Sequence, residues 1–312
     1  MNAPSVDVII PVYRPDERFR LLLDRLARQS LRPSAIILMA TDEASWYSGG
    51  GARMLQESKA AELAEVHFVT KKAFDHARTR SIGVEYSRAD YFVCMTQDAV
   101  PCSPRLLERL ILPMDESVRL TYARQRAAGD ADPIERITRA FNYPARSRVK
   151  TSRDLPELGI KTFFASNVCA AYKRKTFDRL GGFPDRAIFN EDMIYAAKVI
   201  KAGYAVKYCA GAEVIHSHNY TALQNFRRNF DNGVSQAMHP EVFDGIRSES
   251  EGIRLVRSAG GLLARHGYAS LIPKLLWQCG WKYLGFFLGR RYRLLPPALR
   301  RQLSMNKEFW NE

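Results

Sequence analysis

Short apolar runs recur along the first hundred residues of the chain, and each ends in polar side chains. Four runs have the length of a buried β-strand, at residues 6–10, 35–39, 66–69 and 91–95. Between them, apolar residues recur at helical spacing, over residues 18–29, 54–64 and 77–86. Short apolar strands that alternate with helices predict an α/β fold in which helices flank a mostly parallel central sheet.

The second half of the chain is less regular. Strands are expected at residues 118–122, 161–172, 206–208 and 212–215. Helices are expected at residues 133–141, 173–180 and 191–202, and helical spacing dominates from Leu223 onward. This change of pattern predicts an α/β domain over residues 1–222 and a helical C-terminal extension over residues 223–312.

Several common catalytic motifs are missing from the chain. No G-x-S-x-G, H-E-x-x-H or G-x-G-x-x-G pattern is present, which disfavours a hydrolase, a zinc protease or a dinucleotide-binding enzyme. Gly49-Gly50-Gly51 lacks the Lys-Ser/Thr pair of a phosphate-binding P-loop, so it is predicted to be a flexible loop.

In open α/β sheets, ligands bind beyond the carboxyl ends of the strands. The polar residues that follow the predicted strands are therefore candidate site residues: Arg14, Thr41, Asp42, Asp75, His76 and Asp98. Asp98 could bind Mg²⁺ or Mn²⁺, or could merely form a turn. Asp75 could contact a nucleotide base, with Arg80 near a diphosphate, or could simply cap the helix that follows.

Two polar clusters in the second half carry further candidates. Glu191 and Asp192 open a predicted helix, where acidic residues also stabilise the helix N-terminus. Asp192 is the candidate general base, with Glu191 beside it to position an acceptor. His216 and His218 follow a predicted strand, and alternation along an extended chain would bring only one of them to a metal ion.

The net charge of +14 is concentrated near the C-terminus, where residues 253–312 hold eleven basic and two acidic side chains. Such a region favours an anionic partner, although a solvated basic face is the alternative. Leu271, Leu275, Leu276, Trp277, Trp281, Phe286 and Phe287 interleave with these cations. A helix of this kind can lie in a lipid headgroup region, or can pack on its own domain or on a dimer partner. No nucleic-acid-binding motif accompanies the charge, and nucleic acid is not expected as a partner.

The five cysteines are scattered and odd in number, which is typical of free thiols in the reducing cytoplasm. The sequence contains no run of about 18 apolar residues, so no transmembrane helix is expected.

Taken together, the motifs resemble those of glycosyltransferase family 2. Its pattern is matched, in order, by Pro11-Val12-Tyr13, Phe74-Asp75-His76 with Thr79-Arg80, Thr96-Gln97-Asp98-Ala99, Gly181-Gly182-Phe183, Asn190-Glu191-Asp192 and His216-Ser217-His218-Asn219-Tyr220. The bacterial rhamnosyltransferase branch is resembled by Tyr122-Ala123-Arg124-Gln125, Phe141-Asn142-Tyr143-Pro144, Ser166-Asn167 and the segment from Lys282 to Lys307.

The resemblance implies a GT-A fold and a metal-dependent, inverting transfer of a sugar from a nucleotide donor. Asp192 would be the base, with Glu191 beside it, and Asp98 would bind Mg²⁺ or Mn²⁺ with His216 or His218, since Thr96 or Gln97 replaces the first aspartate of the family's Asp-x-Asp element. Donor-binding residues would be Pro11, Tyr13, Arg14, Thr41, Asp42, Asp75, His76, Arg80, Gln97 and Asn167.

The same branch implies dTDP-L-rhamnose as the donor and a lipid-linked O-antigen or capsule precursor as the acceptor. The enzyme would then be cytoplasmic and peripheral at the inner face of the membrane, with a homodimer as a further expectation. The alternatives are a UDP-sugar donor carrying GlcNAc, GalNAc or galactose, and a non-catalytic module that binds a polyanion or a membrane.

Overall fold

The computed structural model of the protein describes residues 4–246 and 249–311. Within them one sheet contains nine strands: β1 (Val6–Val12), β2 (Ala35–Thr41), β3 (Ala64–Val69), β4 (Tyr91–Met95), β5 (Val100–Pro101), β6 (Val118–Arg126), β7 (Arg148–Lys150), β8 (Cys169–Lys173) and β9 (Ala205–Ile215). The α-helices of the described residues are α1 (Glu17–Leu26), α2 (Glu43–Ser48), α3 (Gly51–Gln56), α4 (His76–Tyr86), α5 (Leu106–Ile111), α6 (Pro133–Asn142), α7 (Leu155–Leu158), α8 (Arg174–Arg179), α9 (Glu191–Lys201), α10 (Ala222–Met238), α11 (Pro240–Phe243), α12 (Glu249–Arg265), α13 (Ile272–Arg290) and α14 (Pro297–Leu303).

The strand order is β3-β2-β1-β4-β8-β6-β9-β5, and β7 pairs with β9 beside this path. Strands β1 to β4, β6 and β9 all point in the same direction, because β8 lies antiparallel to both β4 and β6. The short strands β5 and β7 are antiparallel to β9. The predicted α/β fold with a mostly parallel, helix-flanked sheet is confirmed.

Strand β1 illustrates why the apolar runs become central strands. Ile9 faces a core shared with α4, while Val8 and Ile10 face a second core shared with α1. Both faces of the strand are therefore covered. Because a parallel strand covered in this way has no solvent-facing side, its sequence is a continuous apolar run. Helix α1 buries the predicted apolar face, and Asp16 caps it by accepting a hydrogen bond from the backbone N–H of Arg18.

Four local predictions differ from the structure. Residues 161–172 do not form one strand, because a 3-10 helix over Gly159–Phe163 and a turn at Ser166 precede β8. Residues 54–64 contain the end of α3 and a separate 3-10 turn, and the two strands expected at 206–215 are one strand, β9. The glycine loop is a compact junction between α2 and α3, in which Gly51 packs so closely on the Trp46 ring that a Cβ would overlap it.

The C-terminal helices pack tightly on one another. Gly285 and Gly289 of α13 lie against the backbone carbonyls of Phe226 and Phe230 of α10, where any Cβ would collide. Asp231 of α10 accepts hydrogen bonds from the backbone N–H groups of residues 305 and 306 at 2.9 and 3.1 Å. Glycine at both α13 positions thus permits a helix contact at backbone distance. The division of the chain at residue 222 stays a prediction.

None of the described helices combines the length and the apolar character needed to cross a bilayer.

Candidate active site

One amide side chain joins two loops at the carboxyl end of the sheet. Gln97 follows β4; its Oε1 accepts a hydrogen bond from the Tyr13 backbone N–H at 2.7 Å, and its Nε2 donates to the Tyr13 carbonyl at 2.9 Å. Pro11 lies inside β1 itself. Arg14 has a φ of 44°, a left-handed conformation uncommon outside glycine. Gln97 thereby ties the loop after β1 to the segment that carries Asp98.

Asp98 lies beside both histidines of the segment after β9. Its Oδ1 is 3.6 Å from His216 Nε2, and its Oδ2 is 3.4 Å from His218 Nε2. The two Nε2 atoms are 3.1 Å apart, and the three groups can present ligand atoms within 4.8 Å of one another. The expectation that only one histidine reaches this point is wrong, because β9 ends at Ile215 and strand alternation does not continue through the histidines.

Gln125 determines which ring nitrogen of His216 carries the proton. The Nε2 of Gln125 donates to the hydroxyls of Tyr143 and Ser166 at 2.6 and 2.9 Å, so its Oε1 is the acceptor that lies 3.2 Å from His216 Nδ1. His216 Nδ1 is therefore protonated, and the lone pair of Nε2 faces the other members of the cluster. Burial lowers the pKa of His216 to about 3, which keeps the ring neutral.

These residues fit a single divalent cation. A carboxylate with two imidazoles is a donor set that Mn²⁺ and its neighbours in the first transition row accept, and an outer hydrogen bond on a ligating histidine is typical of metal sites. Thr96 and Gln97 add no ligand here. Gln97 is bound to Tyr13, and Thr96 Oγ1 is buried with no hydrogen-bond partner among the described residues.

Asp192 is the second residue of α9, which begins directly after the left-handed residue Asn190. Its oxygens accept hydrogen bonds from the backbone N–H groups of Asn167 and Met193, both at 2.8 Å. Burial, followed by the neighbouring charge of Glu191, raises the pKa of Asp192 to about 7. A carboxylate whose pKa lies near neutrality is suited to general base catalysis.

Glu191 is buried in an ion pair rather than open to a ligand. Its Oε1 lies 3.1 Å from Arg80 Nη1 and accepts a hydrogen bond from Asn167 Nδ2 at 2.9 Å. Burial opposes its ionisation, but the charge of Arg80 and the Asn167 hydrogen bond leave the pKa of Glu191 lowered overall. Glu191 has a relative exposure of 5%, and it holds Arg80 and Asn167 beside Asp192. Its expected contact with an acceptor stays a prediction.

A short chain of contacts joins the carboxylate to the histidine cluster. Ser166 accepts a hydrogen bond from Gln125, which also contacts His216. The next residue, Asn167, binds Asp192 through its backbone N–H. Asp192 is therefore linked through Asn167, Ser166 and Gln125 to His216, which lies against Asp98.

A second group of polar residues surrounds the exposed ring of Tyr13. Lys71 Nζ lies 2.8 Å from Asp42 Oδ2 and 5.8 Å from the centre of the Tyr13 ring. The hydrogen bond from Lys71 is the main reason that the pKa of Asp42 is lowered, and Asp42 also caps α2 through the Ser45 N–H at 2.7 Å. Thr41 Oγ1 is buried without a hydrogen-bond partner among the described residues. An aromatic face beside cations suits an anionic ligand with a planar base.

Asp75 and His76 are engaged in the fold. Asp75 Oδ1 accepts the backbone N–H groups of Ala77 and Arg78 at 2.8 and 2.9 Å, and Oδ2 accepts that of Ala187 at 3.2 Å. The helix-capping alternative therefore describes Asp75, since both of its oxygens are in use and burial raises its pKa. Burial lowers the pKa of His76 to about 4.

Comparison with known proteins places the chain in a family. Residues 7–181, more than half of the chain, match the family model described as Glycosyl transferase family 2. The chain belongs to glycosyl transferase family 2.

Two relatives of this glycosyltransferase are similar over nearly their whole length. It is 35% identical over 312 residues to the O-antigen chain rhamnosyltransferase RfbN of Salmonella typhimurium strain LT2, covering 98% of this chain and 96% of the relative. It is 35% identical over 321 residues to the O-antigen chain rhamnosyltransferase WbaN of Salmonella anatum, covering 99% and 96%.

Two solved structures confirm the fold of the glycosyltransferase. The mannosyltransferase PcManGT from Pyrobaculum calidifontis, in complex with GDP-Man and Mn²⁺, superposes with a TM-score of 0.57 at 16% identity, covering 100% of this chain and 86% of the other. Residues 1–349 of S. aureus TarS give a TM-score of 0.52 at 13% identity, covering 98% and 88%.

The sequence alone predicts no role for several side chains that contact the candidate site residues of the glycosyltransferase. Gln125, Tyr143 and Ser166 lie inside motifs that resemble the rhamnosyltransferase branch, so a signal for them exists. The contact of Gln125 with His216, and its hydrogen bonds to Tyr143 and Ser166, do not follow from that signal. Lys71 gives no such signal, because its partner Asp42 lies on a different loop.

Proposed function

We propose that this glycosyltransferase moves L-rhamnose from dTDP-L-rhamnose to a lipid-linked precursor of a surface polysaccharide, with inversion at the anomeric carbon. The names of the two Salmonella relatives support the sugar and the O-antigen product. The observation that carries the catalytic part is Asp192, a carboxylate with a pKa near 7 that is linked through Asn167, Ser166 and Gln125 to the cluster of Asp98, His216 and His218.

In this mechanism Asp192 accepts the proton of the acceptor hydroxyl as that oxygen attacks the anomeric carbon. The backbone N–H groups of Asn167 and Met193 hold the carboxylate in place. The bond from the anomeric carbon to the diphosphate breaks as the new bond forms, so one displacement inverts the centre. Orientation of both substrates in one site supplies much of the rate enhancement.

Asp98, His216 and His218 would hold a Mg²⁺ or Mn²⁺ ion. Such an ion stabilises the negative charge that develops on a diphosphate leaving group. On the donor side, the ring of Tyr13, between Lys71 and Arg14, would receive the nucleoside, with Thr41 and Asp42 at the adjacent strand end.

The donor assignment is tested with purified protein, Mn²⁺ and a panel of dTDP-rhamnose, UDP-GlcNAc, UDP-GalNAc, UDP-galactose and GDP-mannose. We expect a rise in melting temperature and transfer of label to a bacterial glycolipid extract with dTDP-rhamnose only. Free dTDP serves as the control for binding through the nucleotide alone. Transfer from one of the UDP-sugars, and none from dTDP-rhamnose, would replace the donor while keeping the mechanism.

The outer face of α13 supports a peripheral contact with the cytoplasmic face of a membrane. Leu276, Tyr283, Leu284 and Phe287 are exposed along one side of this helix. Basic side chains lie on helix α13 and directly after it, and the guanidinium of Arg291 lies 3.8 Å from the centre of the Phe287 ring. Exposed aromatic and aliphatic side chains among basic residues match the surface of an anionic bilayer.

Flotation with vesicles tests this membrane contact. The wild type should float with phosphatidylglycerol–phosphatidylethanolamine vesicles, and Tyr283→Ser with Phe287→Ser should weaken binding at least about tenfold through the loss of buried apolar area. Leu112→Ser, which removes an exposed leucine beyond α5, is the matched control. If the double variant floats unchanged, or if it converts a dimer to a monomer, the face serves a different contact.

A further inference from the structure

A cavity of about 370 Å³ adjoins the histidine cluster. It lies between the loop from His218 to Ala222, helix α6 and helix α13. His218, whose Nε2 faces Asp98, is one of its lining residues. The cavity therefore connects the site of the proposed metal ion with the helix whose outer face carries the exposed apolar side chains.

Most charges in the lining are already neutralised by ion pairs. Lys274 Nζ lies 2.6 Å from Asp132 Oδ2, and Glu135 pairs with Arg139 one turn along α6. Lys282 is the one charged side chain of the lining that forms no ion pair within the described part of the chain. The pairing leaves a lining dominated by uncharged polar and aromatic groups.

The uncharged groups of the lining have unused hydrogen-bonding capacity. Thr138 Oγ1 is buried with no hydrogen-bond partner among the described residues, and the Gln278 amide makes no hydrogen bond to them either. The Asn225 Nδ2 donates to the Tyr220 carbonyl at 3.3 Å, which leaves its Oδ1 available. Hydroxyl and amide groups of this kind pair with the hydroxyls of a sugar.

Two aromatic rings complete the cavity. Tyr220 stacks on His218 with ring centres 4.9 Å apart and planes inclined by 21°. Trp277 is 63% exposed, and its ring meets Trp281 edge-on at 5.7 Å, so one face stays open. An open indole face packs well against the apolar C–H face of a pyranose.

We propose that this cavity binds the acceptor, and that it receives the uncharged terminal sugar of a glycan. The apolar face of the sugar rests on Trp277, and its hydroxyls bind Gln278 and Asn225. The unpaired ammonium of Lys282 suits the diphosphate through which a glycan is anchored to a lipid. This inference rests on the proposed function, because it names the acceptor subsite of the same transfer reaction.

Steady-state kinetics with two variants of α13 test the acceptor subsite. The acceptor is the glycolipid fraction, in detergent, of the source organism with this gene deleted, and the donor is labelled dTDP-rhamnose. Trp277→Ala and Gln278→Ala should each raise the acceptor KM at least about tenfold, with the donor KM changed less than about twofold. Trp277→Phe, which keeps an aromatic face, should recover most of the acceptor affinity.

Leu223→Ala serves as the comparator, because Leu223 is exposed in the first turn of α10 beside the cavity but belongs neither to the cavity lining nor to the proposed membrane face. A loss equal to that of Trp277→Ala would assign the effect to the surrounding surface and overturn the proposal, as would an unchanged acceptor KM in Gln278→Ala. Donor-induced thermal shifts show that each variant is folded. A wild type that neither binds nor transfers rhamnose would instead refute the proposed function.

Discussion

Asp192→Asn should lower kcat for sugar transfer by roughly 10³-fold while leaving donor binding intact. General base catalysis contributes about 10²- to 10⁴-fold to a rate, and an amide cannot accept the proton. The fold should survive, because the amide oxygen can still accept one of the two backbone hydrogen bonds that now hold the carboxylate. Transfer of label from dTDP-rhamnose measures catalysis, and the donor-induced thermal shift measures donor binding, so the two assays together separate the two effects.

The pH profile of the wild type gives a second readout of the same group. Because burial and Glu191 raise the pKa of Asp192 to about 7, the active deprotonated form increases as the pH rises through 7. We expect kcat/KM to rise with pH around that value. The residual activity of Asp192→Asn should lack this pH dependence. Asp178→Asn, at an exposed ion pair on α8, is the matched control and should stay within about twofold. Full activity of Asp192→Asn would remove the base assignment.

Asp98→Ala should abolish tight Mn²⁺ binding and lower turnover at least about 100-fold. Asp98 is the one carboxylate in the cluster formed with His216 and His218, and removing it leaves two neutral nitrogens to hold a divalent cation. Charge stabilisation of a leaving group by such an ion amounts to several kcal/mol, and tenfold in rate corresponds to about 1.4 kcal/mol. Calorimetry with Mn²⁺ and transfer assays before and after EDTA treatment measure both effects.

Gln125→Leu provides a graded version of the same test. It removes the acceptor that keeps the proton on His216 Nδ1, without touching any of the three ligands. Loss of such an outer hydrogen bond typically costs about 10- to 100-fold in metal affinity. Asp244→Ala, at an exposed pair with Arg290, is the matched control. Turnover that is insensitive to EDTA, in the wild type, would show that the cluster has a role other than metal binding.

The sheet and its flanking helices could be predicted because their signals are local. Each of the first strands is an apolar run, and α1 repeats Phe19, Leu22, Leu23 and Leu26 along one face, all of which are buried. Segments whose conformation depends on tertiary contacts were harder to place. Residues 161–168 hold apolar side chains yet turn sharply, because the backbone of Asn167 binds Asp192 from a distant helix.

The site residues also differ in whether local sequence signals or tertiary contacts determine their positions. The positions of Asp98 and Asp192 followed from strand ends and helix starts, but the convergence of His216 with His218 depends on where β9 stops. The burial of Glu191 is set by Arg80, more than a hundred residues away. Helical spacing also predicts α13 but not its partner, which is chosen by two glycines that admit the backbone of α10.

The structure of Asp192→Asn bound to Mn²⁺ and dTDP-rhamnose tests the whole arrangement most directly. The account predicts one ion shared by Asp98, both histidines and the diphosphate, with the substituted side chain facing the anomeric carbon from the side opposite the leaving group. A donor whose diphosphate lies away from Asp98, or a residue 192 that faces away from the sugar, would contradict it.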